Sequence, residues 1–243
     1  MSEQMKNSIT FVLPALNEEK LLPATVNVAI LAAEYLKLPF EIVIVDDGSQ
    51  DKTYEVGQSL ASEDSRIKII KHLKNQGLGA AYKTGIDSAK MEYLMLLPAD
   101  DAWPTSSVID ILNQISNADI IIPFIKMAGD KSATRKLLSH SYTNLINLLF
   151  NLNIPYYNGV CLHKVTLLKS IQINANDFSY QTEVLVKLLL KGASFVTVQA
   201  NTNVRKEGVS KALKLKNIIK VITSVLKLYY QLRILNSENF KKT

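Results

Sequence analysis

Only one of the 243 residues is a cysteine, Cys161. A lone thiol excludes an intrachain disulfide framework and a cysteine-rich zinc site, and it fits a reducing compartment. Glycine and proline, at 9 and 7, are too sparse for a collagen-like or disordered chain. No uninterrupted apolar run approaches the roughly 18 residues of a membrane-spanning helix. Residues 1–8 lack the apolar centre of a signal peptide, so export is not expected. The usual glycine-rich phosphate loops are missing too. No G-x-x-x-x-G-K-[ST] occurs, and the first strand runs into Pro14-Ala15-Leu16-Asn17-Glu18 instead of G-x-G-x-x-G. The Gly77-x-Gly79 pair has no third glycine and reads as a tight turn into a helix. Neither a P-loop enzyme nor a dehydrogenase is expected.

What is present is an alternation of short apolar runs with helical patterns. Strands are predicted at 8–13 (stopped by Pro14), 42–45, 67–70, 93–97 and 119–122. Helices are predicted from Asn17, as cap with acids in the first turn, to Leu36, and over 52–61, 75–89 and 106–115. This order indicates βαβ units and a mainly parallel sheet. Beyond Pro123 the pattern shifts to a long helix over 131–152, a turn at 155–159, a helix over 178–190, a strand at 194–198, a basic loop at 205–211 and a last helix over 213–235. No repeat or linker divides the chain. We expect a catalytic domain over 1–211 and a helical appendage over 212–243.

The formal charge of +6 suits anionic partners. Nucleic acid is not expected among them, because the basic residues are not interleaved with aromatics in a recognisable module. The acids are grouped instead. Asp46-Asp47 and Asp100-Asp101 each follow a strong apolar strand, and in a doubly wound sheet both pairs emerge at the same carboxyl edge, where ligands bind. Four carboxylates on one rim repel unless a cation or a donor-rich ligand offsets them. A divalent metal carrying a diphosphate does so, since Mg²⁺ and Mn²⁺ often bind through one or two carboxylates plus phosphate oxygens. The other reading is that Asp47, Ser49 or Asp101 caps a helix. The basic half is complementary: Arg205, Gly208, Ser210 and Lys211 compose a phosphate-suited loop, and Arg135 stands one turn before Ser139.

Together these pieces resemble family 2 glycosyltransferases of the GT-A type, most closely the dolichyl- or polyprenyl-phosphate sugar synthases. The matching stretches are Leu13-Pro14-Ala15-Leu16-Asn17-Glu18-Glu19, Val45-Asp46-Asp47-Gly48-Ser49-x-Asp51-x-Thr53, Asn75-x-Gly77-x-Gly79-Ala80-Ala81 and Leu97-Pro98-Ala99-Asp100-Asp101. Arg135-x-x-x-Ser139, Tyr157-Asn158-Gly159, Glu183 and Arg205-x-x-Gly208-x-Ser210-Lys211 complete the set in family order. The resemblance implies a Rossmann-like three-layer α/β sandwich and an inverting transfer from a GDP- or UDP-linked sugar. It implies that Pro14, Glu18 and Asp47 hold the nucleoside, with Ala15, Asn17, Asp46, Gly48 and Gly79 around it. Asp100, with Asp101, would take the metal and diphosphate. Arg135, Ser139, Arg205, Ser210 and Lys211 would contact phosphates of donor or acceptor, the two arginines as catalytic groups. The pattern departs at Pro98, where the first acid of the D-x-D motif is usual, at Ala102 in place of a frequent Gln, and near Lys126, one residue out of register with a frequent Arg.

A phosphate acceptor is chemically economical. A sugar hydroxyl needs a general base of near-neutral pKa, whereas a polyprenyl phosphate, with a second pKa of about 6, is already ionised. None of His72, His140 and His163 falls in a matched motif, so all three are expected to be structural or on the surface. On the last helix, Lys216, Lys220, Ser224, Lys227 and Gln231 form a polar stripe beside a wide apolar surface. That pattern suits a helix lying on an anionic membrane, and equally one docked on the protein's own core or in a homodimer. The expected location is cytoplasmic, peripheral at the inner face of the membrane. Two alternatives to the polyprenyl-phosphate reading are transfer to a saccharide hydroxyl and a catalytically weak sugar-nucleotide-binding protein.

Overall fold

The structure, a computed structural model, describes residues 6–125, 133–157, 159–203 and 215–235. Its strands are β1 (Ile9–Ala15), β2 (Phe40–Asp46), β3 (Ile67–Lys71), β4 (Tyr93–Leu96), β5 (Ile120–Ile125), β6 (Leu162–Lys164) and β7 (Phe195–Ala200). They form one sheet in the order β3-β2-β1-β4-β6-β5-β7. β6 runs antiparallel to both β4 and β5, and the other pairings are parallel. The helices are α1 (Leu22–Tyr35), α2 (Thr53–Glu63), α3 (Leu78–Ser88), α4 (Thr105–Leu112), α5 (Ala133–Phe150), α6 (Val165–Lys169), α7 (Tyr180–Leu190) and α8 (Leu215–Tyr229), the last continued by a π-helical turn over Tyr230–Leu235.

The three-layer sandwich follows from period-two burial along the strands. Val12, Val43, Val45, Leu94, Leu96 and Ile122 face a core closed by α3, α5, α7 and α8. Phe11, Leu13, Ile42, Ile44, Met95 and Ile121 face a second core under α1 and α4. Central strands covered on both faces read as continuous apolar runs, which is why β1 and β2 were legible. α3 lies so close to β1 that a Cβ on Gly85 would stand 2.3 Å from a Val12 methyl.

Prolines do not end strands here. β1 continues through Pro14 to Ala15, and β5 through Pro123 to Ile125. The N–H and C=O of a strand residue point to the same side, and the Pro14 carbonyl accepts from Ala99, on the β4 side. The β1–β4 ladder ends at Val12–Leu96, so the donor that proline lacks has no strand to meet. Pro123 does the same toward β6, whose ladder with β5 ends at Ile121.

Asn17 is not a helix cap. α1 begins at Leu22 with no acid in its first turn, and Asn17 sits at φ +58° in a loop. Neither Asp47 nor Ser49 caps α2, whose cap is Lys52, and Asp101 does not cap α4, whose cap is Pro104. β6 and α6 were not anticipated: three strand residues, Leu-His-Lys, are too few to show a period.

Candidate active site

The strand order reverses between β1 and β4, and in open α/β sheets ligands bind in the crevice at such a switch point. Pro14 and Ala15 end β1 there, and Asp46 ends β2 in register with Ala15. Across the crevice the chain leaving β4 passes through Pro98 to Asp100, tied to β1 by an Ala99 N–H to Pro14 carbonyl bond of 3.3 Å. With strands about 4.8 Å apart, β2 and β4 stand roughly 10 Å apart across β1. The two acid pairs therefore meet at one edge.

The loops after β1 and β2 are stitched together. Asn17 N–H donates to Ser49 Oγ at 3.0 Å, and its Oδ1 accepts from Gln50 N–H at 2.8 Å. Glu18 N–H donates to Thr53 Oγ1 at 2.8 Å, and Lys52 N–H to Glu19 Oε2 at 2.9 Å. Burial opposes ionisation of Asp51, but hydrogen bonds from Thr53 and Glu19 outweigh it and hold the carboxyl below its usual pKa. Asn17 and Glu18 are thus tied into a double loop at the end of β1.

The adjacent acids differ sharply. Asp47 is 5% exposed and its carboxylate is fully engaged. Oδ1 accepts from His72 Nδ1 at 2.7 Å and Gln76 N–H at 2.9 Å, and Oδ2 accepts from Gly77 N–H at 2.8 Å. With its Nδ1 proton given to Asp47, His72 presents Nε2 to the Thr84 hydroxyl at 2.9 Å. Asp46 is wholly buried; Oδ1 accepts from Ser49 N–H at 2.9 Å, while Oδ2 has no hydrogen-bond partner among the described residues. A buried carboxylate oxygen without a donor is costly, which sets Asp46 apart from its fully bonded neighbour.

Gly48 and Gly79 permit close approach, but to the chain itself. A Cβ on Gly48, at φ +77°, would stand 2.6 Å from the Lys74 carbonyl carbon, and one on Gly79 would stand 2.4 Å from the Ala175 carbonyl oxygen. Across the crevice, Asp101 adopts φ +50°, its N–H donating to Thr25 Oγ1 at 3.2 Å. Its carbonyl accepts from Asn203 Nδ2 at 2.9 Å. That bond brings the chain beside the β4 acids two residues before Arg205. Arg205, Ser210, Lys211, Asn158 and Lys126 lie outside the described residues. Arg135 is in the first turn of α5, with Ser139 one turn on.

Among the described residues, no three His, Cys, Asp or Glu side chains group into a metal cage. Asp100 and Asp101 match the oxygen-donor, two-carboxylate set that suffices for Mg²⁺ or Mn²⁺ when a diphosphate supplies the remaining ligands. The donor chemistry of the two acids suits such an ion, and Pro98 adds no ligand to it.

His72, expected to be structural or on the surface, is buried directly after β3 and links Asp47 to Thr84. His163 is structural: burial pushes its pKa down to about 3, so it is neutral near pH 7. His140 is exposed on α5.

On α8, Val225, Leu228 and Leu232 are buried in the core, and Arg233 donates to the Phe150 carbonyl at 2.8 Å. The opposite side exposes Ile222, Leu226, Tyr230 and Ile234, and α5 exposes Leu137, Leu138, Leu145 and Leu148. Of the polar stripe, Ser224, Lys227 and Gln231 line a cavity of about 410 Å³ shared with Asn174, Asn176 and Asp177. Among the described residues no helix is long and apolar enough to cross a membrane.

A model of glycosyl transferase family 2 matches residues 10–169. Dolichol-phosphate mannosyltransferase of Pyrococcus furiosus is 28% identical over 202 residues, 79% of this chain and 55% of that protein. Glycosyltransferase AglD of Haloferax volcanii is 22% identical over 93% of this chain and 38% of its own length. Dolichyl-phosphate beta-glucosyltransferase of Dictyostelium discoideum is 32% identical over 46% and 37%. The chain thus spans about half, or less, of the length of these relatives. Glucosyl-3-phosphoglycerate synthase of Mycobacterium tuberculosis, in complex with UDP, matches with a TM-score of 0.70 at 14% identity, over 91% of this chain and 80% of that one. Its complex with Mn²⁺, UDP-glucose and phosphoglyceric acid gives 0.68 at 15% identity. The shared fold is the GT-A sandwich.

Proposed function

Because the chain belongs to glycosyl transferase family 2, we propose that it is an inverting enzyme that moves a sugar from a nucleotide donor to a polyprenyl phosphate. The observation that carries this reading is the pair of acid-bearing strand ends flanking the β1–β4 crevice. Relatives named for dolichyl- and undecaprenyl-phosphate transfer favour the acceptor class.

In this reading the nucleoside lies over Pro14, Ala15 and the Asn17–Glu18 loop, and Asp46 receives a donor group of the base or ribose. Asp47, whose oxygens are engaged, holds the floor. Asp100, with Asp101, holds the divalent ion, which when bound offsets the charge of the leaving diphosphate. Arg135, Arg205, Ser210 and Lys211, with Ser139, align and screen the acceptor phosphate, which attacks the anomeric carbon from the face opposite the leaving group. That in-line geometry inverts the anomer and requires no protein base.

Release of nucleoside diphosphate from a panel of GDP- and UDP-sugars, with Mn²⁺ or Mg²⁺ and with or without polyprenyl phosphate, tests the proposal. Release that depends on the lipid phosphate and yields the inverted anomer is the expected result. Release with a saccharide acceptor alone overturns the acceptor, and binding without release overturns the enzyme.

The lipid acceptor calls for a membrane surface. The exposed stripe Ile222, Leu226, Tyr230 and Ile234, beside Lys227, is the face on which α8 meets it, at the cytoplasmic leaflet. Leu226→Glu combined with Tyr230→Glu is expected to abolish flotation with anionic vesicles while leaving the fold intact, because both side chains point away from the core. Undiminished flotation would exclude this face, and dimer dissociation in the same variant would assign it to a second copy.

A further inference from the structure

Glu183 belongs to the matched motifs, and it stands in the first turn of α7. It is 5% exposed, and both oxygens are engaged. Oε1 accepts from Asn174 N–H at 3.1 Å and from Lys187 Nζ at 2.5 Å. Oε2 accepts from Asn174 N–H at 3.1 Å and Ala175 N–H at 2.8 Å. An acid in the first turn of a helix with a lysine four residues on is favourable in itself. Those two effects do not require the backbone amides of a separate loop, so the contacts to Asn174 and Ala175 have another consequence.

The next carbonyls of that loop press on the glycine turn. Asn176 O accepts from Gly79 N–H at 2.9 Å. Asn176 O and Ala175 O lie 2.3 and 2.4 Å from where a Cβ on Gly77 and on Gly79 would be. The same turn sends Gln76 N–H and Gly77 N–H to Asp47, whose own N–H donates to Ala15 O at 2.9 Å at the end of β1. Lys83 Nζ also fixes the loop, donating to Asn176 Oδ1 at 2.5 Å. An unbroken series of short contacts therefore joins Glu183, loop 174–176, the turn at 76–79, Asp47 and the crevice floor.

We propose that Glu183 is a positioning residue of the donor site, acting through loop 174–176 on the glycine turn that holds Asp47. The proposal rests on the donor reading above. It extends to α8, because Asp177, next in the loop, accepts from Ser224 Oγ at 3.4 Å.

Amide hydrogen exchange at Gly77 and Gly79, with calorimetric titration of UDP and of GDP in the presence of Mn²⁺, tests it in Glu183→Ala and Glu183→Gln. In the alanine variant, exchange at Gly79 is expected to rise at least tenfold as the turn loosens. The Kd of whichever nucleotide the wild type binds should rise on the order of tenfold, about 1.4 kcal/mol. kcat at saturating donor should fall far less than KM rises. The glutamine variant keeps one acceptor oxygen and should fall between; it also decides the matter if the alanine variant does not fold. A lowered melting temperature with Gly79 exchange and nucleotide affinity unchanged would overturn the proposal and leave Glu183 a support for α7 alone. If the wild type binds neither UDP nor GDP, the donor reading fails and this role with it, even where Gly79 exchange responds.

Discussion

Asp100→Ala is expected to lower kcat by on the order of 10²–10³. The acid stands just past the end of β4, half-buried, on a segment already anchored by the Ala99 bond to Pro14 and by Asp101 to Thr25 and Asn203. In the proposed reading the substitution removes a negative charge that holds the ion offsetting a departing diphosphate. Since Pro98 gives no substitute where a first acid would stand, the loss should exceed that from Asp101→Ala. The comparison is made by steady-state kinetics across a range of Mn²⁺. Turnover of Asp100→Ala within threefold of wild type would sink the assignment.

The second large effect separates two neighbouring acids. Asp47→Ala leaves the buried His72 ring N–H and the partly exposed Gln76 and Gly77 amides without their acceptor, at a cost of about 3 kcal/mol. For a chain of this size that is a fall of roughly 6–12 °C in Tm. Asp46→Asn keeps an oxygen for Ser49 N–H and exchanges an oxygen that has no partner for an amide, so its stability should change by less than about 1 kcal/mol. Nucleotide affinity should respond in the opposite order, falling on the order of tenfold or more in Asp46→Asn at unaltered Tm. Thermal unfolding and titration on the same samples read both. Equal loss of stability in the two variants would refute this division between nucleoside contact and internal clamp.

Much of this was legible in the sequence because buried parallel strands announce themselves. The runs at Ile42–Val45 and Tyr93–Leu97 had to be central, and acids directly after them had to reach one edge. How Asp47 is held was not legible, because the groups that bond its oxygens, His72, Gln76 and Gly77, lie some thirty residues further on. Asn17 misled for a related reason: a residue suited to capping is equally suited to φ > 0 and to accepting from a neighbouring loop, and only the position of Ser49 and Gln50 decides between them. β6 could not be seen because a three-residue strand draws its identity from the two strands it joins, not from its own pattern.

That short strand also has a consequence for the order in which the protein is made. Among the described residues, β6 is the only ladder between β3-β2-β1-β4 and β5-β7. The first four strands are complete by Leu96, whereas Leu162–Lys164 emerge far later. At ribosomal speeds of 5–20 residues per second, β4 presents an open edge for roughly 3–14 s. That edge reads Tyr-Leu-Met-Leu, with no charge or proline within it to discourage a neighbouring chain. The nascent chain is most exposed to misassembly in that interval, and insertion of β6 ends it.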